Sequence, residues 1–504
     1  MKRFFYFSVV IPTTLVFCFG AWFVSAQETS SNDGVSRFRK TVANQLRHPC
    51  LKNKNFGVKF VSLDQDDILL SIRGDQQFIP ASNQKLLTTA SSLKYLGPDY
   101  RFPTELYSNG PIKNAILKGD LYIRGFGDPK LVTEQMWLLA TQLRNIPIRK
   151  VDGDIVADDS YFDDVRRIKT WRDKFGPQAY NAPLGALSFN FNTIRTMINP
   201  AQKVGEHPSV VVSPNTEYIK ILNKAKTVLQ GRRNGLIVNR LDREGFDHIT
   251  ITGKIRKNAP RARYYLNITD PPIFTATVFK EYLNRAGVEV GGTVRTGKVT
   301  SGTKRIVRHK SEPLSLIIRG LNKFSNNFTA EQLVKTLAAH RYGEPGSSEN
   351  GVKVISEYME SLGFSLNDFK IVDGSGLSHE NRLTPDQIVA VLLDVFREQS
   401  IYPEYISSLA VMGVDGSTAN RLVNVPQASR ARVKTGTLNG VSALSGYLQS
   451  LDGERLAFSI LMNDLHCNAN TALRIQDKII TTALNFRRKQ SGTKTEVSEG
   501  NKKQ

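Results

Sequence analysis

The stretch Pro80-Ala81-Ser82-Asn83-Gln84-Lys85-Leu86-Leu87-Thr88-Thr89-Ala90 decides how this chain is read. It follows two alternating apolar runs, Phe56 to Leu63 and Ile68 to Arg73, which predict strands. It opens a predicted helix from Ser82 to Leu96, with Leu86, Leu87, Ala90, Leu93 and Leu96 at helical spacing. The Ser82 hydroxyl therefore stands at a helix N-terminus, where partial positive charge favours a developing anion, and Lys85 lies one turn on along the same face. Ser-x-x-Lys alone is weak, because about two should arise by chance in a chain of this length. It recurs from Ser91 to Lys94, Ser301 to Lys304 and Ser491 to Lys494. Ser91 is mid-helix, where serine bonds back to a carbonyl or faces solvent, and the other two sit in Gly-Thr-Lys turns with no apolar helix behind them.

Two further motifs follow in order, Ser325-Asn326-Asn327 and Lys434-Thr435-Gly436. The second lies in a run of predicted antiparallel strands, Ala431 to Thr437, Val441 to Gln449 and Leu456 to Met462, joined by tight connections. A lysine on an edge strand presents its ammonium to a substrate carboxylate while the strand backbone pairs with an extended peptide. The rival Arg295-Thr296-Gly297 precedes Ser325 and breaks the order. Together the three motifs supply a nucleophile with a nearby amine, a hydroxyl-amide pair and a cationic strand, the parts of acyl transfer through a serine ester. Lys85 accepts the Ser82 proton only when neutral, so its pKa must fall from ~10.4 to ~7–8, which burial and the second cation Lys434 both favour. Ser325 then reads as a proton relay to the departing amine, and Asn327 as a partner of Lys85 and of the substrate backbone. Singly, each motif has a structural reading: an N-cap at Ser82, a helix-entry turn at Ser325 to Asn327, an edge-strand charge at Lys434.

Longer runs accompany the motifs: Gly125-Phe126-Gly127-Asp128-Pro129, Asp158-Asp159-Ser160-Tyr161-Phe162, Asp373-Gly374-Ser375-Gly376-Leu377-Ser378, Gly413-Val414-Asp415-Gly416 and Lys434 through Val441. With these the chain resembles the D-alanyl-D-alanine carboxypeptidase/endopeptidase type of penicillin-binding protein, the penicillin-binding protein 4 family. The resemblance implies a mixed α/β (α+β) fold: a penicillin-binding/β-lactamase-like five-stranded antiparallel sheet flanked by helices, with inserted mostly-β domains. It implies a serine D-Ala-D-Ala carboxypeptidase working through an acyl-enzyme on Ser82, with peptidoglycan peptides and β-lactams as partners. It also implies oxyanion donors at the Ser82 and Thr437 N–H groups, and a substrate-binding strand of Lys434, Thr435, Gly436 and Thr437 that holds a terminal carboxylate. By the same resemblance Asp158 faces the distal amino group of the stem residue and Asn439 lines that pocket; Asp159, Asp163 and Asp164 compete with Asp158, and a turn or cap is the default for such a cluster. His379 departs from the family's arginine, with Arg382 as a replacement. A serine β-lactamase or esterase on the same scaffold, and a non-catalytic wall-binding protein, are the alternatives.

Ser82 and Ser325 are 243 positions apart (325 − 82), far more than two walls of one cleft require, so something folds in between. Residues 101–307 hold short alternating runs and one clear longer helix, Phe274 to Ala286, which reads as one or two inserted β-rich units; the resemblance implies two, one nested. The expected division is a signal peptide at 1–26, a transpeptidase-like catalytic domain at 27–100 and 306–488, a β-rich domain at 101–200 and 266–305, a nested β domain at 201–265, and a basic tail at 489–504. Helices are expected at 37–46, 328–340, 351–362, 385–397 and 472–486.

Lys2 and Arg3, an apolar run from Phe4 to Val24 and small residues before Gln27 predict export, by a cleaved signal or a retained anchor. The net charge of +22 fits a solvated surface, or weak association with membrane or anionic polymer. Nothing resembles a nucleic-acid motif. Cys50 and Cys467 flank the first and last predicted strands, so a disulfide is geometrically allowed. Gly-x-Ser-x-Gly, His-Glu-x-x-His and phosphate-loop motifs are missing and the seven histidines are scattered, so no metal or cofactor is expected. A homodimer is left open.

Overall fold

The computed structural model describes residues 25–52, 55–171, 176–231 and 235–488. The first two apolar runs form antiparallel strands, Phe56–Ser62 and Ile68–Ile72, and the first pairs along its length with Arg455–Met462. The sheet continues through Val441–Gln449 and Ala431–Leu438 to a two-residue strand, Ala410–Val411. Five long antiparallel strands were expected, and the short sixth is the one addition. It pairs only with Val433 and Arg432, so from Lys434 onward no described strand covers that edge.

Both faces of this sheet are covered, which is why Val441–Gln449 and Arg455–Met462 are buried along nearly their whole length. Alternation still sorts the side chains. Val61, Ala443, Tyr447, Ala457 and Leu461 pack with Leu86, Leu87, Ala90 and Leu93 of the Ser82 helix (Gln84–Leu96) and with Leu333, Ile388 and Leu392. Val58, Phe60, Leu444, Phe458 and Ile460 pack instead with Phe38, Val42, Ile475 and Ile479 of the terminal helices Ser25–Gln45 and Ala469–Leu484. The Ser82 helix is thus fixed between the sheet and the helices Asn327–Tyr342 and Pro385–Arg397. Cys50 and Cys467 are joined by a disulfide, their Cα atoms 5.2 Å apart.

The region between the motifs leaves through Pro103–Ser108 and returns through Lys304–Lys310, which pair side by side. These belong to a five-stranded sheet with Leu121–Gly125, Ile155–Asp158 and Val294–Thr296. A separate sheet holds Ile219–Asn223, Lys226–Val228, Gly235–Arg243 and Phe246–Arg256, yet Ile249, Ile251 and Ile255 share one apolar cluster with Leu121, Phe274 and Phe279. The expected single long helix of this region is Pro271–Arg285, but a second, Thr133–Arg144, corrects that reading. Val132 gives it no side-chain cap to mark its start, although Met136, Leu139, Ala140 and Leu143 recur at helical spacing and are buried. Leu314–Phe324 and Tyr402–Ser408 are likewise helices beyond those expected. Residues 1–24 of the expected signal peptide, and the tail at 489–504, lie outside the described residues.

Candidate active site

Ser82 sits in a 3₁₀ turn, Ala81–Asn83, that feeds directly into the helix Gln84–Leu96. The turn is sharp: Ala81 has φ of 47°, a left-handed conformation that disfavours a side chain by roughly 1–2 kcal/mol. Lys85, one turn on, is wholly buried, and its Nζ donates to Ser82 Oγ (3.0 Å), Asn327 Oδ1 (2.7 Å) and the Ser375 carbonyl (2.5 Å). Burial brings the Lys85 pKa down to about 7 against the opposing charges of Asp373 and Glu331. Three acceptors suit the ammonium form. Once neutral, the nitrogen can turn its lone pair to the Ser82 hydroxyl across the same contact.

Ser325 terminates the helix Leu314–Phe324 in the left-handed conformation (φ 57°, ψ 44°), which turns its hydroxyl out of the helix. Asn326 then caps the helix Asn327–Tyr342, its side chain accepting from Thr329 N–H (2.9 Å). Asn327 is held at both ends of its amide, by Lys85 and by the Tyr180 carbonyl, to which Nδ2 donates at 3.3 Å. Lys434, also fully buried, donates to Ser325 Oγ (2.9 Å) and to the Thr435 carbonyl (2.8 Å). Burial, then repulsion from Lys85, holds its pKa well below the usual lysine range. Two backbone approaches lock these pieces together. A Cβ on Gly436 would meet Pro80 O and Ser82 N at 3.0 Å, and one on Gly376 (φ +73°) would lie 1.8 Å from Ala81 O.

Ser82, Ser325, Asn327 and Thr437 open onto one cleft of about 530 Å³, whose other walls are Tyr180, Asn181, Gly376, Leu377, His379, Leu438 and Asn439. Ser82, Lys85, Ser325, Asn327 and Lys434 therefore converge, and Thr437 and Asn439 join the wall. Thr435 and Gly436 do not line it: Thr435 pairs with the Ser417 hydroxyl at 2.7 Å, and Gly436 serves as the gap into which the Ser82 turn fits. Asp158 lies off this wall, with Arg124 Nε 3.7 Å from its carboxylate. It is buried at 1 % exposure and accepts from Ser160 N (2.9 Å), Ser160 Oγ (2.6 Å) and Val299 N (2.7 Å), the turn reading of an acidic cluster. Arg382 does not line the cleft, and its Nη1 donates to the carbonyls of His379 (2.7 Å) and Asn381 (2.8 Å). Ser91 is buried within its helix, away from the cleft wall.

Four contributors have no chemical signature in the sequence. Asn83, with its amide nitrogen toward the sheet, donates to Lys434 O (3.0 Å) and accepts from Ser445 Oγ (2.6 Å), tying the Ser82 turn to the lysine strand. The Ser375 carbonyl grips Lys85, while Tyr180 and Asn181 come from the intervening region.

The sequence matches the D-Ala-D-Ala carboxypeptidase 3 (S13) family over residues 38–485. It is 32% identical over 488 residues to the D-alanyl-D-alanine carboxypeptidase of Actinomadura sp. (strain R39), an alignment covering 94% of this chain and 88% of that one. The fold is similar to penicillin binding protein 4 (dacB) from Haemophilus influenzae, with a TM-score of 0.76 and 24% identity over 87% of this chain and 98% of that one. The same protein complexed with a novel β-lactam (CMV) superposes with a TM-score of 0.72 and 22% identity over 88% and 99%.

Proposed function

The chain belongs to the D-Ala-D-Ala carboxypeptidase 3 (S13) family, and on that premise we propose that it releases the terminal D-alanine of peptidoglycan stem peptides through an ester on Ser82. Neutral Lys85 takes the Ser82 proton as Oγ attacks the penultimate carbonyl. The oxyanion is met by the N–H groups of Ser82 and Thr437, a pair of donors each worth ~10²–10³ in turnover in comparable sites. Collapse of the intermediate breaks the C–N bond, and the proton passes from Lys85 to the departing D-alanine amine with Ser325 as relay. Lys434, behind Ser325, when protonated pushes the Ser325 proton toward the departing amine and favours the substrate's terminal carboxylate, which the Thr437 hydroxyl receives at the cleft surface. Lys85 then acts as base again for the water that hydrolyses the ester. The rest of the stem peptide runs along Tyr180, Asn181, His379 and Asn439.

The observation that carries this reading is the Lys85 amine within hydrogen-bond reach of both Ser82 and Asn327 at the floor of an open cleft. A β-lactam offers the same carbonyl with a leaving nitrogen that stays tethered, so a stable adduct is expected. Labelling with a fluorescent penicillin tests it: Ser82→Ala removes the label and Ser91→Ala keeps it, while equal labelling of wild type and Ser82→Ala would overturn the assignment. Rapid turnover of the label would favour a β-lactamase, and release of D-alanine from a D-Ala-D-Ala peptide distinguishes the carboxypeptidase.

A cell-wall substrate places the enzyme outside the cytoplasm, in the periplasm or envelope, consistent with the charged and apolar N-terminus. No helix among the described residues is long and apolar enough to cross a membrane. The division at 27–100 with 306–488, 101–200 with 266–305, and the nested 201–265 is kept as a proposal, supported by the separate sheets and by the adjacent exit and entry strands. Weak attraction to anionic wall polymers is proposed from the net charge of +22.

A further inference from the structure

Behind the reacting groups lies a buried carboxylate with no part in the steps above. Glu331, one turn along the helix from Asn327, is fully buried, and no cationic side chain among the described residues forms an ion pair with it. Its oxygens accept from Gly374 N–H (3.1 and 3.2 Å) and Ser375 N–H (2.8 Å). The adjoining Asp373 accepts from Gly376 N–H (2.7 Å), Ser378 N–H (2.8 Å), Asn381 Nδ2 (2.9 Å) and Trp171 Nε1 (3.0 Å). The two carboxylates thus gather the 373–378 turn from inside, and the turn delivers the Ser375 carbonyl to Lys85 Nζ at 2.5 Å. Burying a carboxylate is expensive unless its charge is matched, and a neutral amide oxygen could accept the bonds from Gly374 and Ser375 equally well, so the turn alone does not require a full negative charge here.

The charged groups facing Glu331 are few. Across Ser375 stands Lys85 on the Ser82 helix, beside it in the turn stands Asp373, and beyond Lys85 stands Lys434 on the sheet. Among the described residues Asp373, then Glu331, opposes the effect of burial on Lys85, while Lys434 and Lys85 repel each other. Burial, then Asp373, raises Glu331 to about 7, beside a lysine brought to about 7. We propose that Glu331 is a positioning residue for acyl transfer: it fixes the turn whose Ser375 carbonyl grips Lys85, and its negative charge holds the resting proton on that amine. The proton is then released only when substrate has displaced water from the cleft, which keeps Ser82 quiescent between turnovers. This rests on Lys85 being the base.

The test is the rate of acylation by a fluorescent penicillin from about pH 5 to 9 in wild type, Glu331→Gln, Glu331→Asp and Lys85→Met, with labelling checked for its dependence on Ser82. In Glu331→Gln the lysine loses a charge that favours its ammonium; because Glu331 itself gains a proton near 7, the loss is felt in the upper part of the acidic limb, whose midpoint moves lower by a fraction of a pH unit. In Glu331→Asp the charge stays and the limb stays with it, but the shortened side chain draws the turn back and the plateau rate falls about tenfold. A Glu331→Gln limb that coincides with wild type, or a Glu331→Asp plateau equal to wild type, overturns the proposal. Should Glu331→Gln fail to fold, the Glu331→Asp limb and plateau decide alone. Loss of labelling in Lys85→Met together with an unmoved Glu331→Gln limb sinks this inference and spares the base assignment; a Lys85→Met that acylates at the wild-type rate sinks the base assignment itself.

Discussion

Lys85 carries two opposed demands, because the burial that makes it a base also removes a cation from water. Its ordinary value of 10.5 falls to about 7 in the fold. Between those values the unfolded chain binds a proton that the folded chain does not, so stability rises with pH across the window from about 7 to 10.5. A difference of 3.5 units corresponds to on the order of 5 kcal/mol. We expect the unfolding free energy of wild type, measured by urea denaturation, to gain on that of Lys85→Met as pH is raised through this window; parallel curves would show that Lys85 stays protonated in the fold. The acid side works the other way for catalysis, with acylation declining below about pH 7 as the amine reprotonates. At this scale the sequence was legible where chemistry demands a side-chain type at a spacing, as for Ser82, Lys85, Ser325, Asn327 and Lys434. It was silent where the contribution is a backbone carbonyl, as at Ser375, or a carboxylate such as Glu331 that a helix pattern treats as ordinary. Asp158, named only through the family resemblance, lies off the cleft wall, with Ser160 and Val299 donating to its carboxylate and Arg124 3.7 Å away.

Helix ends place the hydroxyls. Ser82 enters a helix through the strained Ala81, whereas Ser325 leaves one in the left-handed conformation that glycine adopts without penalty. Replacing Ser325 by glycine should therefore remove the relay and relieve the backbone, whereas alanine removes the relay and keeps a Cβ in the unfavourable conformation. The expected outcome is a similar loss of acylation rate in both, with Ser325→Gly more stable than Ser325→Ala by roughly 1 kcal/mol in thermal unfolding. Equal stabilities would mean that the left-handed cap is not preserved without the hydroxyl. The same ends explain which elements could be read in advance. Pro385–Arg397 was located to the residue because Thr384 and Gln387 form a capping box and Pro385 follows. Leu314–Phe324 was overlooked because it begins after Pro313 with no side-chain cap and ends on a serine instead of a glycine. The strands were found by alternation even though both faces are buried, since Leu444, Phe458 and Ile460 face the terminal helices while Ala443, Ala457 and Leu461 face the Ser82 helix.

At the scale of the molecule, the region inserted between the motifs is fastened to the helix that carries Asn327 and Glu331. Asn327 Nδ2 donates to Tyr180 O (3.3 Å), Gln332 Nε2 to Gly185 O (2.8 Å), and Lys335 Nζ to Asp163 Oδ1 (2.5 Å) and Val165 O (2.7 Å). Trp171 reaches from the same region to Asp373 and packs on Phe328 with Ile168 and Leu184. No periodicity announces such a clamp, because its acceptors are mostly carbonyls of irregular chain 147 to 172 residues away in sequence from the side chains that donate to them. Its firmest tie is ionic: the Lys335 side chain has no solvent exposure, and Asp163 is its one carboxylate partner in direct contact. Against the ~3–5 kcal/mol of a fully buried pair, removing the carboxylate leaves the buried ammonium without its match at about 2–3 kcal/mol, because Asp163 is itself 25 % exposed. Asp163→Ala should accordingly destabilise the protein by about that amount and slow acylation, although Asp163 does not line the cleft. Adding Lys335→Met removes the orphaned charge and should return more than half of the lost stability, a coupling that a double-mutant cycle in urea reads directly. Should the two losses simply add, the clamp is not held by this pair. Should stability return while acylation stays slow, the contact between the inserted region and the Asn327 helix is itself what keeps the amide on Lys85.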